Sequence, residues 1–270
     1  MWSGNGDRTL MQFVYGPVAS WRLGRSLGVD ILSTDDKTCS FDCVYCQLGD
    51  TEHRTVKRQV YVPTEEIERE IEAIADTIDE STDVITFAGM GEPTLGANLG
   101  EVAAMLRRYS TKPLVILTNS ALITDATVRE ELKKLDIVVA KLDAPDQFIF
   151  EQVNRPVSEE IELDAIIEGL KEFRKDYRGR LCVQMMFVEE NKEYGWELAR
   201  IAADIKPDEV QLNTPLRPCV VKPVSPDELE RIRASFKGLE ATIVSVYDRM
   251  VPEVRVIDKT EVIRRRGVED

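Results

Sequence analysis

Three of the five cysteines fall in one short segment, Cys39-Ser40-Phe41-Asp42-Cys43-Val44-Tyr45-Cys46. Thiolates at this C-x3-C-x2-C spacing can each hold one iron of a cubane cluster. The fourth iron of such a cluster is left without a protein ligand. An open metal position is where a small molecule coordinates and reacts, as water does at an open zinc site. Two other readings compete. Zinc could take the three cysteines together with His53, the sole histidine of the chain, although the gap from Cys46 to His53 exceeds common structural zinc spacings. The cysteines could also be inert and buried. An odd cysteine count in a chain read as cytosolic argues against a disulfide framework. Cys182 and Cys219 stand apart and read as small buried hydrophobes.

Other candidates follow the apolar runs. One run ends in Gly89-Met90-Gly91-Glu92-Pro93. Glycines let backbone approach a ligand closely, and the carboxylate of Glu92 can meet a cation; an ordinary loop turn is the plainer reading. Asn119 follows the next run and Asp143 the one after. Polar residues at the C-terminal ends of barrel strands face the active site, but each of these two also suits a helix cap. Asn213 and Arg217, in Gln211-Leu212-Asn213-Thr214-Pro215-Leu216-Arg217, are candidates for cofactor or substrate contact.

The elements that must position these residues can be read from periodicity. Near-continuous apolar runs at 29–33, 84–88, 114–118, 137–142, 181–188 and 210–213 suit parallel strands covered on both faces. Between them lie amphipathic stripes: Ile67, Ile71, Ile74 and Ile78, with Thr64 as a candidate N-cap; Leu99, Val102, Leu106 and Tyr109; Val128, Leu132 and Leu135, after Thr124-Asp125; Leu163, Ile166, Leu170 and Phe173; Leu198, Ile201 and Ile205. The alternation reads as βα units. Six units are too few for a closed eight-stranded barrel, so the fold class is α/β, an open partial (β/α)6 barrel. After residue 218 the texture changes. Ser225-Pro226-Asp227-Glu228 starts a helix with a capping box, and a strand-like 242–246 follows. The expected division is a barrel with an N-terminal extension over 1–218 and a short α/β C-terminal appendage over 219–270.

The chain carries 35 basic and 49 acidic residues, a net charge of −14. Phosphate contacts dominate nucleic-acid affinity, so this balance makes a poor general nucleic-acid binder, although one local patch could suffice. Arg54, Lys57 and Arg58 form the best such patch. They, Arg107 with Arg108, and Arg264-Arg265-Arg266 otherwise read as solvated surface. No apolar run approaches the roughly 20 residues a membrane helix needs. The first residues hold Asp7 and Arg8 where a signal peptide would be apolar, so the expected location is cytoplasmic.

The cysteine loop, with an aromatic residue before its last cysteine, resembles the signature of the radical S-adenosylmethionine (SAM) superfamily. The resemblance implies a [4Fe-4S] cluster on Cys39, Cys43 and Cys46, with SAM chelated to the open iron through its amino and carboxylate groups. It implies one-electron cleavage of SAM to methionine and a 5'-deoxyadenosyl radical, which abstracts hydrogen from a substrate that the sequence does not identify. A reducing electron donor of flavodoxin or ferredoxin type is implied as partner. By the same resemblance Tyr45 sits beside the adenine, the 89–93 segment matches the glycine-rich motif that binds the SAM amino group, Asp143 holds the ribose hydroxyls and Asn119 lines the pocket. Tyr15-Gly16-Pro17-Val18, the stretch from Arg22 to Asp30, and Phe41 to Gln47 are similar to one branch, the small iron-sulfur oxidoreductases grouped with tRNA wyosine synthases. The likeness spans roughly residues 13–218. Wyosine synthases carry a second cluster on upstream cysteines, and no cysteine precedes Cys39 here. A glycyl-radical-type activase acting on a partner protein and a tRNA-modifying wyosine-synthase relative are the alternatives.

Overall fold

In the computed structural model of this chain, residues 11–248, 252–254, 256 and 259–266 are described. Successive side chains of a strand point to opposite faces, and the near-continuous apolar runs bury both faces of one eight-stranded sheet. Its first strands are β1 (Val14–Ser20) and β2 (Gly24–Val29), an antiparallel pair joined by a tight turn at 21–23. A separate two-residue ladder, β3 (Thr38–Cys39) with β4 (His53–Arg54), closes the cysteine loop. From there βα units succeed one another. Helix α1 (Thr64–Ser81) leads to β5 (Val84–Phe87), α2 (Leu99–Leu106) to β6 (Leu114–Thr118), and α3 (Ala126–Leu132) to β7 (Ile137–Lys141). Two helices, α4 (Gln147–Val153) and α5 (Leu163–Asp176), precede β8 (Arg180–Met186), and α6 (Gly195–Ile205) precedes β9 (Glu209–Asn213). Then come α7 (Pro226–Ala234), β10 (Thr242–Ser245) and α8 (Lys259–Arg266).

The spatial order is β1-β2-β5-β6-β7-β8-β9-β10, with every pairing after β1·β2 parallel. The end strands β1 and β10 do not pair, so the barrel is open and partial, as expected. The expected first strand is displaced: the chain is extended before Val29 rather than after it, because Leu27 and Val29 face the helices while Asp30 turns the chain by accepting from the amides of Leu32 and Ser33. The strand-like 242–246 segment joins the same sheet beside β9. Among the described residues no helix is long and apolar enough to cross a membrane.

The helical stripes do what their spacing dictates. Ile67, Ile71 and Ile78 of α1 are buried with Leu27, Ile85 and Phe87 in the main core between sheet and helices, each fully buried isoleucine contributing roughly 1.5–3 kcal/mol. Thr64 is the first helical residue rather than the cap; its buried hydroxyl accepts from Asn98 Nδ2 at 3.1 Å. Asp125 caps α3 by accepting from Thr127 N at 2.7 Å, and Ser225 with Glu228 forms the expected capping box of α7. Helix α4 had no stripe to announce it; Asp146 caps it by accepting from Ile149 N at 2.9 Å. The opposite face of the strands forms a second, smaller cluster of Leu23, Val84, Val115, Ile137, Val139 and Cys182. Leu23 of this cluster, and Leu117 packed against it, also line the cavity described below.

Candidate active site

The cysteine loop is pinned before any metal is considered. Lys37 Nζ donates to Gly49 O at 2.8 Å, and His53 N and Thr55 N donate to Lys37 O and Cys39 O. Asp42 is buried inside the loop, where its carboxylate accepts from Thr51 N at 2.7 Å and pairs with Arg54 at 2.9 Å. These donors hold the Asp42 carboxyl below its usual range against the opposing effect of burial, which is the largest single influence on it. Val44 N and Asp42 N donate to the carbonyls of Val153 and Asn154, so the end of α4 backs the loop. Cys39 is buried, whereas Cys43 and Cys46 are half-buried, and none of the three is in a disulfide. Burial, then the Glu92 charge, pushes the Cys39 thiol up; burial, then Asp143, pushes Cys43 up to about 11. Metal ligation needs thiolates, so binding iron here releases protons.

The glycine-rich segment lies directly against this loop. Thr38 N donates to Met90 O at 2.9 Å, and Glu92 N to Thr38 O at 3.2 Å. A Cβ on Gly91, at φ +154°, would stand 1.6 Å from Thr38 O, and one on Gly89 would stand 2.0 Å from the Asp30 carboxyl carbon. Both glycines are therefore demanded by the chain's own packing. Glu92 does not reach out to a cation either. It is buried, and its two oxygens accept from Thr94 N, Thr94 Oγ1, Thr118 Oγ1 and Asn119 N. Burial raises its carboxyl even so. The carboxylate thereby sets Asn119, whose Nδ2 donates to Ser40 Oγ at 2.9 Å and to Cys39 Sγ at 3.5 Å.

Asp143 is a second hub. Its Oδ2 accepts from Asn154 Nδ2 at 2.7 Å and from the Tyr45 hydroxyl in a short contact, and its Oδ1 accepts from Met186 N at 2.7 Å. Lys141 Nζ lies 3.1 Å from Asp143 Oδ1 without hydrogen-bond alignment, and 4.7 Å from the centre of the Tyr45 ring. Asn154 Nδ2 also reaches Cys43 Sγ at 3.6 Å. Burial, reinforced by the Asp143 charge, keeps the Tyr45 phenol protonated far above its ordinary range. Asn191 anchors the Asp143 carbonyl at 2.7 Å.

A cavity of about 320 Å³ is lined by residues of β1, β2, β5, β6, β8 and β9. Tyr45, Gly89, Asn213 and Arg217 line it near the C-terminal strand ends; Trp21 and Arg22, in the β1–β2 turn, line the other end. Arg217 Nη1 donates to Gln47 Oε1 at 2.6 Å, while Gln47 Nε2 donates to Arg265 O at 3.1 Å. Helix α8 is thus tied to the residue that follows Cys46. The expectation that Arg264-Arg265-Arg266 is solvated surface is corrected: Arg265 and Arg266 are buried. Arg265 Nε pairs with Asp30 at 2.8 Å, and Asp30 also accepts from Met90 N at 3.1 Å. Cys182 is buried as expected, but Cys219 is only half-buried.

Structure and donor chemistry favour a cluster over zinc. His53 is exposed on β4, and among the described residues no three His, Cys, Asp or Glu side chains converge to hold a single metal ion. A cubane takes each thiolate to a different iron, so its ligands need not meet at one point. The three cysteines, on a loop already fixed at both ends and floored by amide donors from Asn119 and Asn154, fit that group. Gln47, Lys141, Asn154 and Arg265 are not among the candidate site residues read from sequence; Gln47 lies in the Phe41 to Gln47 stretch and Arg265 in the arginine run, but neither pattern assigns them a role, and Lys141 and Asn154 carry no motif.

Comparison with known proteins agrees with this geometry. A family model described as the radical SAM superfamily matches residues 37–202. A UPF0026 protein of Synechocystis sp. is 42% identical over 258 residues, covering 93% of this chain and 89% of that protein. SuiB of Streptococcus suis, in a crystal structure bound to S-adenosylmethionine, superposes with a TM-score of 0.62 at 17% identity, covering 83% of this chain and 50% of that one; this chain spans half the length of that neighbour. A structure of TYW1 with a lysine-pyruvate adduct bound superposes with a TM-score of 0.57 at 13% identity, covering 79% and 74% of the two chains.

Proposed function

The chain belongs to the radical SAM superfamily, and from that premise we propose that it binds a [4Fe-4S] cluster and SAM and uses them to abstract hydrogen from a substrate held in the barrel cavity. The observation that carries this reading is the cysteine loop itself: three unpaired thiols on a loop fixed by Asp42 and Lys37, beside a cavity lined by Tyr45. When bound, the cluster and SAM supply one-electron cleavage of the sulfonium to methionine and a 5'-deoxyadenosyl radical. Everything else falls to the chain's own residues. Cys39, Cys43 and Cys46 hold the cluster. Asn119 and Asn154 donate to the thiols of Cys39 and Cys43 and stabilise them as thiolates. Tyr45, Gly89, Asn213 and Arg217 line the cavity where SAM would lie. Gly91, Glu92 and Asp143 act from behind, by seating the loop, Asn119 and Tyr45. Among the described residues, those up to 218 carry this machinery, and those after it contribute Val246, Arg265 and Arg266 to the cavity lining.

The test is anaerobic reconstitution. The protein is expected to turn brown, to take up about four irons with matching sulfide, and to form 5'-deoxyadenosine from SAM under a strong reductant. Replacing Cys39, Cys43 and Cys46 together with Ala abolishes both; Cys182→Ala and Cys219→Ala keep the full iron content. One zinc and no visible absorption would exclude the reading.

A further inference from the structure

Among the described residues four arginines line the cavity, Arg22, Arg217, Arg265 and Arg266, and no aspartate or glutamate does. That is a strongly cationic space inside a chain of net charge −14. The four are not equivalent. Arg265 is answered from behind the wall by Asp30 and Glu261. Arg217 meets the neutral amide oxygen of Gln47. Arg22 pairs with no carboxylate among the described residues. Its Nε is buried without a hydrogen-bond partner, and its guanidinium lies 5.3 Å from the centre of the Trp21 ring. Arg266 comes to the same end of the cavity from α8, donating to Ala19 O at 3.2 Å.

A guanidinium drawn partly out of water with no ion-pair partner costs stability, and most proteins avoid it. Burial first and the neighbouring Arg266 charge second lower the Arg22 guanidinium to about 10, against an opposing pull from the Glu209 carboxylate, which forms no ion pair with it. The N-terminal end of barrel strands ordinarily serves stability rather than chemistry, and an unpaired cation serves it poorly. Tyr45, Gly89 and Asn213 mark the opposite end of the same cavity, under the cysteine loop.

We propose that the cavity takes an anionic substrate whose phosphate or carboxylate group is bound by Arg22 with Arg266 beside it, leaving the rest of the molecule directed toward the cysteine loop. The inference rests on the reading of the cavity as a substrate site. Both anions suit a guanidinium, which binds either in a bidentate manner.

Isothermal titration of the anaerobically reconstituted chain with inorganic phosphate, at ionic strength held constant with chloride, tests it. Wild-type protein should bind phosphate saturably, and Arg22→Gln should weaken that binding about tenfold or more. Sodium acetate titrated in parallel separates the sources: saturation by phosphate alone marks a phosphate-bearing substrate, and saturation by acetate too marks a carboxylate. Without ligand, Arg22→Gln should melt at the wild-type temperature or above it, because a charge repelled by Arg266 and held in no ion pair has been removed. Phosphate binding that fails to saturate, or that survives Arg22→Gln unchanged, overturns the proposal. So does a lowered melting temperature in that variant, which would make Arg22 structural. Iron content, measured on both proteins, reports the cluster separately, so failure of the anion site and failure of the cluster reading are distinguishable.

Discussion

At the scale of single residues, the site is built by side chains that never face a ligand. Glu92 spends both oxygens on Thr94, Thr118 and Asn119, and Asp143 spends its own on Tyr45, Asn154 and Met186. The glycines make the same point. At Gly91 the space a side chain would need belongs to Thr38 O, one residue before the first cysteine. Gly91→Ala must therefore push apart the two strands of backbone that seat Cys39. It is expected to cost about 3 kcal/mol and to lower iron uptake along with melting temperature. Full iron uptake and a wild-type melt, combined with weakened SAM binding, would mean that the glycine answers to the ligand instead.

Among the elements, α8 matters out of proportion to its length. Arg265 carries it across β1 to Asp30, at the end of β2, and Asp30 in turn holds Met90. One buried ion pair thus couples the C-terminal helix to the glycine-rich segment. Removing one partner of such a pair strands the other. Arg265→Leu is expected to destabilise the protein by about 3–5 kcal/mol. Adding Asp30→Asn should recover part of that loss, because the stranded charge is then gone. Chemical denaturation of the two single variants and the double variant closes the cycle, and strict additivity would mean that the pair is not coupled.

For the whole molecule, a net charge of −14 contrasts with a cavity whose charged lining, among the described residues, is four arginines. The basic patch that could have bound RNA is largely consumed by ion pairs: Arg54 with Asp42, and Arg58 with Glu131 while also donating to Thr94 O and Gly96 O. Of the three, Arg54 and Lys57 are exposed and Arg58 is half-buried. A gel-shift series against total tRNA at physiological salt is expected to show no sub-micromolar binding. Tight binding that weakens steeply with salt and is lost with Arg54, Lys57 and Arg58 all changed to Ala would restore tRNA as a substrate.

The sequence by itself determined what depends on local spacing. C-x3-C-x2-C marks the proposed cluster ligands, because three donors on one short loop need no distant partner. The 3.6-residue stripes and continuous apolar runs give the βα alternation and the open barrel, because periodicity records which face is buried. Capping residues at Asp125 and Ser225 were legible for the same reason. Tertiary structure alone decided what depends on separation along the chain. Arg265 is 235 residues from Asp30, and Asn154 is 111 from Cys43; no local pattern marks either. Nor does sequence say which face of an arginine run is solvated. Arg264, Arg265 and Arg266 look alike in a row, yet the turn of one helix places the last two inside the fold, and the curvature of the sheet brings Arg22 to meet them.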